Sequence, residues 1–284
     1  MPATLFPPEV EKAANCLSIP LSTFFDLEQT LDCGQVFRWG KQPGGCFWIT
    51  AGKNTCEISQ FQNSLYFYGV SQETFETFWK PYFDLDRDYE GICQILSQDP
   101  VLARAIAYAP GIRILRQDPW EALCSFIISQ NNNIPRIKGI LSRLCQGWGM
   151  PLGNGYYAFP GPETLAACTP ESLGDLRAGF RARYLIDAAQ KVASGIVDLQ
   201  ALYHLPLEEA RTHLRRIVGV GPKVAECTLL YGCGRMECFP VDVWIFRAME
   251  RLFPHGLPEL AAPWAGIAQQ YIFHYIRHEP QIGL

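Results

Sequence analysis

Residues 214–242 read LRRIVGVGPKVAECTLLYGCGRMECFPVD, and the rest of the chain is organised around them. Gly219 and Gly221 flank Val220, and Pro222 follows at the place where a helix begins. Glycine supplies unusual backbone angles and proline suits the first helical position, so the segment reads helix, tight hairpin, helix. Unpaired amides and the positive end of the dipole at the second helix make a grip for a phosphate. Lys223 falls on the first turn of that helix, where an ammonium group is electrostatically disfavoured. A lysine so placed can act as an amine nucleophile. Asp242 stands nineteen residues later in Phe239-Pro240-Val241-Asp242-Val243-Trp244, where the proline ends an extended stretch and the aspartate can cap a helix over Val243–Leu252. Taken singly, Lys223 reads as an exposed lysine and Asp242 as a plain cap. One carboxylate oxygen can cap while the other faces a site, so the two readings of Asp242 are compatible.

Composition frames the motif. A chain of 284 residues with 48% apolar content is long enough for a large core and about two domains. Eleven cysteines, scattered without paired spacing, point to reduced thiols in an intracellular setting. No apolar run has the length of a membrane span, and Met1–Asn15 lacks a basic-then-apolar leader, so a soluble protein of the cytoplasm is expected. The formal net charge of −4 conceals an uneven distribution. Residues 1–103 hold 6 Lys/Arg against 13 Asp/Glu, residues 104–247 hold 16 against 12, and residues 248–284 hold 2 against 3. The basic excess coincides with the hairpin and implies a local phosphate-binding face.

Periodicity divides the chain. Val36–Trp39, Cys46–Ala51, Cys56–Gln60 and Ser64–Tyr68 are short alternating or aromatic stretches between Gly, Pro and Asn turns, and predict an antiparallel sheet. From Glu73 onward the period becomes helical, in Trp120–Ser129, Ile137–Trp148, Leu185–Ser194, Leu207–Val218, Val224–Tyr231 and Trp264–Arg277. The Pro/Gly-rich segment Gly149–Pro162 reads as a loop.

GVGPKVAEC followed by PVD resembles the helix-hairpin-helix DNA glycosylase superfamily, specifically its 8-oxoguanine DNA glycosylase/AP lyase branch, and further matches run from about Phe24 to Arg277. The resemblance implies an α+β fold. An N-terminal antiparallel β domain, TATA-binding-protein-like, is expected over residues 1–88, and a two-part all-α helix-hairpin-helix domain over 89–284, with double-stranded DNA in the cleft. It also implies a monomer that needs no metal or organic cofactor.

Several segments outside the hairpin gain roles by the same resemblance. Ser129-Gln130-Asn131-Asn132-Asn133-Ile134-Pro135-Arg136 interrupts two helical patterns, and by itself reads as a turn or cap. Removing a base from a duplex leaves a void and an unpaired partner. The resemblance has Asn131 entering the stack and Arg136 contacting the orphaned base. Phe180-Arg181-Ala182-Arg183-Tyr184 reads as a helix start with core anchors; the resemblance makes Phe180 a wedge and Arg181 a second contact to the opposite base, expected to be cytosine. Cys227 and Phe273, otherwise core filler, match residues that sandwich the extruded base. Gln269 matches the amide that reads its Watson–Crick edge, with neighbouring Gln270 leaving an ambiguity of one position. Gly34 in Asp32-Cys33-Gly34-Gln35 otherwise reads as a turn glycine. It matches the glycine whose carbonyl accepts the N7 proton that distinguishes 8-oxoguanine from guanine. Gly219, Gly221 and Trp244 fall at phosphate-contacting positions.

The activity so implied is excision of oxidised guanine through a Lys223 Schiff base, assisted by Asp242, followed by β-elimination. Three positions depart from the family pattern. Trp244 stands where eukaryotic members carry a histidine, Phe180 lacks a tyrosine hydroxyl, and Pro222 replaces a polar residue. These bear on fine DNA contacts and point to a bacterial branch. The rivals each lack a feature. An iron–sulfur glycosylase needs four clustered cysteines after the aspartate, yet none follows Cys238. A monofunctional alkylpurine glycosylase lacks the lysine, and a noncatalytic hairpin module has no use for the lysine, aspartate and pocket residues together.

Overall fold

Alternating side chains in the N-terminal third build a five-stranded antiparallel sheet in the order β1-β5-β4-β3-β2, formed by β1 (Cys16–Pro20), β2 (Trp39–Lys41), β3 (Phe47–Ala51), β4 (Asn54–Phe61) and β5 (Ser64–Tyr68). The computed structural model describes residues 16–21 and 24–279. One sheet face buries Phe47, Ile49, Ile58, Leu65 and Phe67 against Phe75, Trp79 and Phe83 of the following helical segment. Phe67 meets Phe75 edge to face at 5.2 Å, a geometry that aromatic quadrupoles favour.

The sheet differs from the sequence reading in three places. The first strand, Cys16–Pro20, lies outside the predicted window and pairs with β5 at an edge. Leu27–Asp32 is a helix, α1, capped by Asp26, whose side chain accepts from the Gln29 amide. Asp26 and Gln29 have the spacing of a capping box, the signal by which the helix could have been found. Val36–Arg38 is not a strand, because Gln35 locks this segment elsewhere. The Gln35 amide donates to the carbonyls of Thr30 and Arg113 and accepts from the Leu115 amide.

The helices follow: α2 (Tyr89–Leu96), α3 (Pro100–Tyr108), α4 (Pro119–Ser129), α5 (Ile134–Trp148), α6 (Arg181–Ala193), α7 (Leu207–Leu214), α8 (Pro222–Cys227), α9 (Val243–Leu252) and α10 (Ala265–His278), with single turns between them. Helix α4 is buried on nearly every side and packs against α5, α6 and α8 in the second core, to which every helix from α2 to α10 contributes. Gly149–Pro162, expected as a loop, carries a small hairpin of Pro151–Gly153 and Tyr156–Tyr157. Asn154 and Gly155 turn it with φ of +50° and +79°, the conformation for which Asn-Gly is the favoured pair. Between the cores, a buried ion pair joins Arg38 to Glu121 on α4 at 2.9 Å. No helix among the described residues is long and apolar enough to cross a membrane.

Candidate active site

The hairpin between α7 and α8 uses its two glycines differently. Gly219 has φ +83°, and a Cβ there would sit 2.3 Å from the Tyr184 ring. Gly221 caps α8 in an extended conformation with nothing within 4 Å of where a Cβ would stand. Fold packing therefore requires the first glycine, whereas the second leaves the helix start bare. Asp187 of α6 props the hairpin, accepting from the Val218 amide at 2.6 Å and from Lys191 at 2.8 Å.

From the first turn of α8, Lys223 reaches the C-terminal turn of α4. Its Nζ lies 3.0 Å from Ser129 Oγ and 4.8 Å from the centre of the Phe126 ring. Ser129 donates its own proton to the Phe126 carbonyl at 2.8 Å, which leaves its oxygen as the acceptor for Lys223. Asp242 caps α9, one carboxylate oxygen accepting from the Ile245 amide at 2.8 Å. Glu226 braces the two catalytic candidates. It is buried on α8, pairs with Arg211 at 2.5 Å and accepts from the Phe239 amide at 2.7 Å, tying the lysine helix to the segment that leads to Asp242. Sequence reading missed Ser129, Phe126 and Glu226. The first two have only helical spacing as a signal, and a glutamate on a short helix reads as surface.

Lys223 and Asp242 line two spaces at once. On one side lies an open cleft of about 640 Å³, walled by Ser129, Asn131, Trp244 and Phe246 among others. On the other lies a narrow cavity of about 40 Å³, lined also by Gly34, Cys227, Gln269 and Phe273. The inner cavity has room for about one water molecule. Burial pushes the Cys227 thiol up to about 11, against the opposing pull of the Lys223 charge. Gly34 has φ +84°, and a Cβ would stand 3.2 Å from the Phe273 ring, so glycine is required there by conformation.

The two glutamines of α10 separate cleanly. Gln270 is bonded on both ends of its amide, donating to the Cys33 carbonyl at 2.7 Å and accepting from the Tyr231 hydroxyl at 2.6 Å. Gln269 lines the inner cavity, and its buried Oε1 has no hydrogen-bond partner. A buried amide oxygen without a partner is costly unless a ligand or water satisfies it.

The other cleft wall brings some candidates forward and withdraws one. Asn133 caps α5 and Asn132 donates back to the Ile128 carbonyl, whereas Asn131, exposed with φ +48°, lines the open cleft. Arg136 is exposed, with one long contact of 3.4 Å to the Arg177 carbonyl. Phe180 is 42% exposed. Arg181, expected to contact the opposite base, is placed otherwise. It is 3% exposed, and its guanidinium donates to the backbone carbonyls of Gln130, Asn131 and Ala178. Four of its five N–H groups are engaged there, so a base contact made with them would require breaking the support of the Asn131 turn. Trp244 is exposed on the cleft, and its role as a phosphate contact has no donor beyond the indole N–H.

Residues 17–123 match the model for the 8-oxoguanine DNA glycosylase N-terminal domain, and residues 124–258 match that for the HhH-GPD superfamily base excision DNA repair protein. An N-glycosylase/DNA lyase of Saccharomyces cerevisiae is 36% identical over 196 residues, which is 64% of this chain and 52% of the relative. The chain thus matches about half the length of that curated relative. The structure of MBOgg1 in complex with a low-affinity DNA ligand superposes with a TM-score of 0.89 at 39% identity, over 96% of this chain and 98% of the other. The Clostridium acetobutylicum 8-oxoguanine glycosylase/lyase, in complex with dsDNA containing cytosine opposite 8-oxoG, superposes with a TM-score of 0.83 at 38% identity, over 89% and 92%.

Proposed function

Because the chain belongs to the 8-oxoguanine DNA glycosylase branch of the HhH-GPD base excision repair superfamily, we propose that it excises oxidised guanine from double-stranded DNA and then nicks the strand. One observation carries the reading: Lys223 and Asp242 stand together where an open cleft meets a narrow cavity lined by an unpartnered amide oxygen. The cleft holds the duplex, the hairpin amides hold a phosphate, and the target base leaves the stack. Asn131 and Phe180 fill the space it vacates, and Arg136 contacts the opposite base, cytosine. In this reading residues up to 88 supply Gly34, and residues 89–284 supply the other groups. The protein works as a monomer.

The inner cavity is smaller than a base, so Cys227 and Phe273 must part to admit one. Gln269 then satisfies its orphaned oxygen on the Watson–Crick edge. A carbonyl at Gly34 accepts the N7 proton that only the oxidised base carries, while the lone pair of normal guanine repels it.

The chemistry follows from the two catalytic groups. Lys223 as a neutral amine attacks C1′ of the sugar as the bond to the base breaks, and Asp242 stabilises the positive charge that develops. Of the two protons on the attacking nitrogen, one passes to the departing base and the other to the ring oxygen O4′ as the sugar ring opens to an imine. The released base then takes a C2′ proton, and β-elimination expels the 3′ phosphate. Water returns the lysine.

The test uses duplexes carrying 8-oxoguanine, alkyladenine or guanine opposite each of the four bases, with base release measured before and after alkali, and borohydride present during turnover. Release of 8-oxoguanine with nicking and a crosslink at Lys223 is expected, and Lys223→Gln abolishes the crosslink. Equal release of alkylated bases without nicking would refute the assignment.

A further inference from the structure

Helix α9 turns large apolar side chains outward at its start. Ile245 and Ala248 are buried, and that phase leaves Val243, Trp244 and Phe246 65%, 42% and 54% exposed, beside Val241 at 42%. All four line the open cleft on the Lys223 side. Clustered apolar surface rimmed by polar groups marks an interaction site, because water is its least favourable neighbour. The side chains from Val241 to Phe246 offer one donor, the indole N–H, and one charge, the Asp242 carboxylate, while the cations stand beside them: Lys223 lines the same cleft and exposed Arg247 follows Phe246. A phosphate finds its partners at those cations and not on the exposed rings. A nucleobase, which has two π faces, finds a surface to stack on.

From this geometry we propose that Trp244 and Phe246 receive the face of the nucleobase next to the extruded lesion on the same strand, unstacked when the duplex is kinked. The enzyme then disrupts two positions of the damaged strand: one base enters the inner cavity and its neighbour rests on α9. The proposal rests on the cleft being the DNA site. It assigns Trp244 to base stacking where sequence resemblance pointed to a phosphate.

A double-mutant cycle between protein and DNA tests it. The 8-oxoguanine duplex is compared with duplexes in which the 5′ or the 3′ neighbour is replaced by a tetrahydrofuran abasic spacer, for the wild type and a Trp244→Ala/Phe246→Ala double variant. Both substitutions are at exposed positions, and unchanged thermal unfolding verifies the fold. Loss of one stacked base weakens wild-type affinity about tenfold. The spacer on one side should therefore weaken wild-type binding by that factor and the double variant by less than twofold. A 2-aminopurine at that position should brighten on binding to the double variant and stay quenched on binding to the wild type, where the indole covers it. If spacer and substitutions act independently while 8-oxoguanine is still excised, the stacking proposal is wrong and the cleft reading stands. If the wild type neither binds nor excises, both fall.

Discussion

Alanine at each hairpin glycine should separate folding from DNA binding. At Gly219 the backbone has φ +83°, and the added methyl would lie 2.3 Å from the Tyr184 ring. Left-handed backbone costs a non-glycine residue about 1–2 kcal/mol. Forcing the half-buried Tyr184 ring to move costs about 1–3 kcal/mol more. Gly219→Ala should therefore destabilise the protein by about 2–5 kcal/mol, roughly 5–15 °C in melting temperature for a chain of this size. Gly221 offers the control two residues along the same turn: its φ is −92° and nothing stands within 4 Å of a methyl. The loss of unfolded-chain entropy favours alanine there by about 0.4–1 kcal/mol, and the poorer helix cap opposes it by a similar amount. Stability should stay within about 0.5 kcal/mol, while the methyl blocks close approach of a phosphate and raises the DNA dissociation constant about tenfold, some 1.4 kcal/mol. Calorimetry and fluorescence anisotropy at fixed salt read the two effects. Gly221→Ala binding DNA like the wild type, or melting as low as Gly219→Ala, would refute the division of labour.

Glu226→Ala leaves the Phe239 amide without its acceptor and takes one of two carboxylates from Arg211, which keeps Glu208, and should cost about 1–3 kcal/mol in denaturant unfolding, with Glu226→Gln losing less because it still accepts from Phe239. Arg181→Ala should lower the melting temperature by removing three backbone contacts, whereas Arg136→Ala should leave it unchanged and alter excision across the four opposite bases. Gln270→Ala should destabilise by about 2 kcal/mol, since it frees the Cys33 carbonyl and the Tyr231 hydroxyl, while Gln269→Ala should leave stability intact and lower kcat/KM at least tenfold. Burial, reinforced by the charges of His278 and Arg277, lowers His274 on α10 from its ordinary 6.5 to about 4. The unfolded chain then binds the proton more readily than the folded one between these values, so stability held above about pH 6.5 declines as pH falls toward 4, by about 1–2 kcal/mol after allowance for solvent screening. His274→Gln should flatten that slope in pH-dependent melting.

Local chemistry wrote much of this protein into adjacent residues. The glycine hairpin, the lysine one step inside the next helix and the α9 cap at Asp242 each depend on hydrogen bonds or backbone angles within a few positions. Val243–Leu252 was accordingly legible to the residue. The Asp26 helix cap and the Asn154-Gly155 turn were equally local, and only the alternating pattern around them obscured the first. What the tertiary structure decided is which side chain of a local set meets a distant one. Gln269 and Gln270 are chemically identical neighbours on one helix, and the packing phase of α10 alone sends one into the cavity and the other to Cys33. Arg181 lies in a stretch to which family resemblance gave a base contact, but the fold brings the Gln130–Asn131 carbonyls, some fifty positions away, onto its donors. Ser129 meets Lys223 across 94 positions of chain. Such contacts are set by how whole elements pack, and side-chain spacing along one element carries no record of its neighbours.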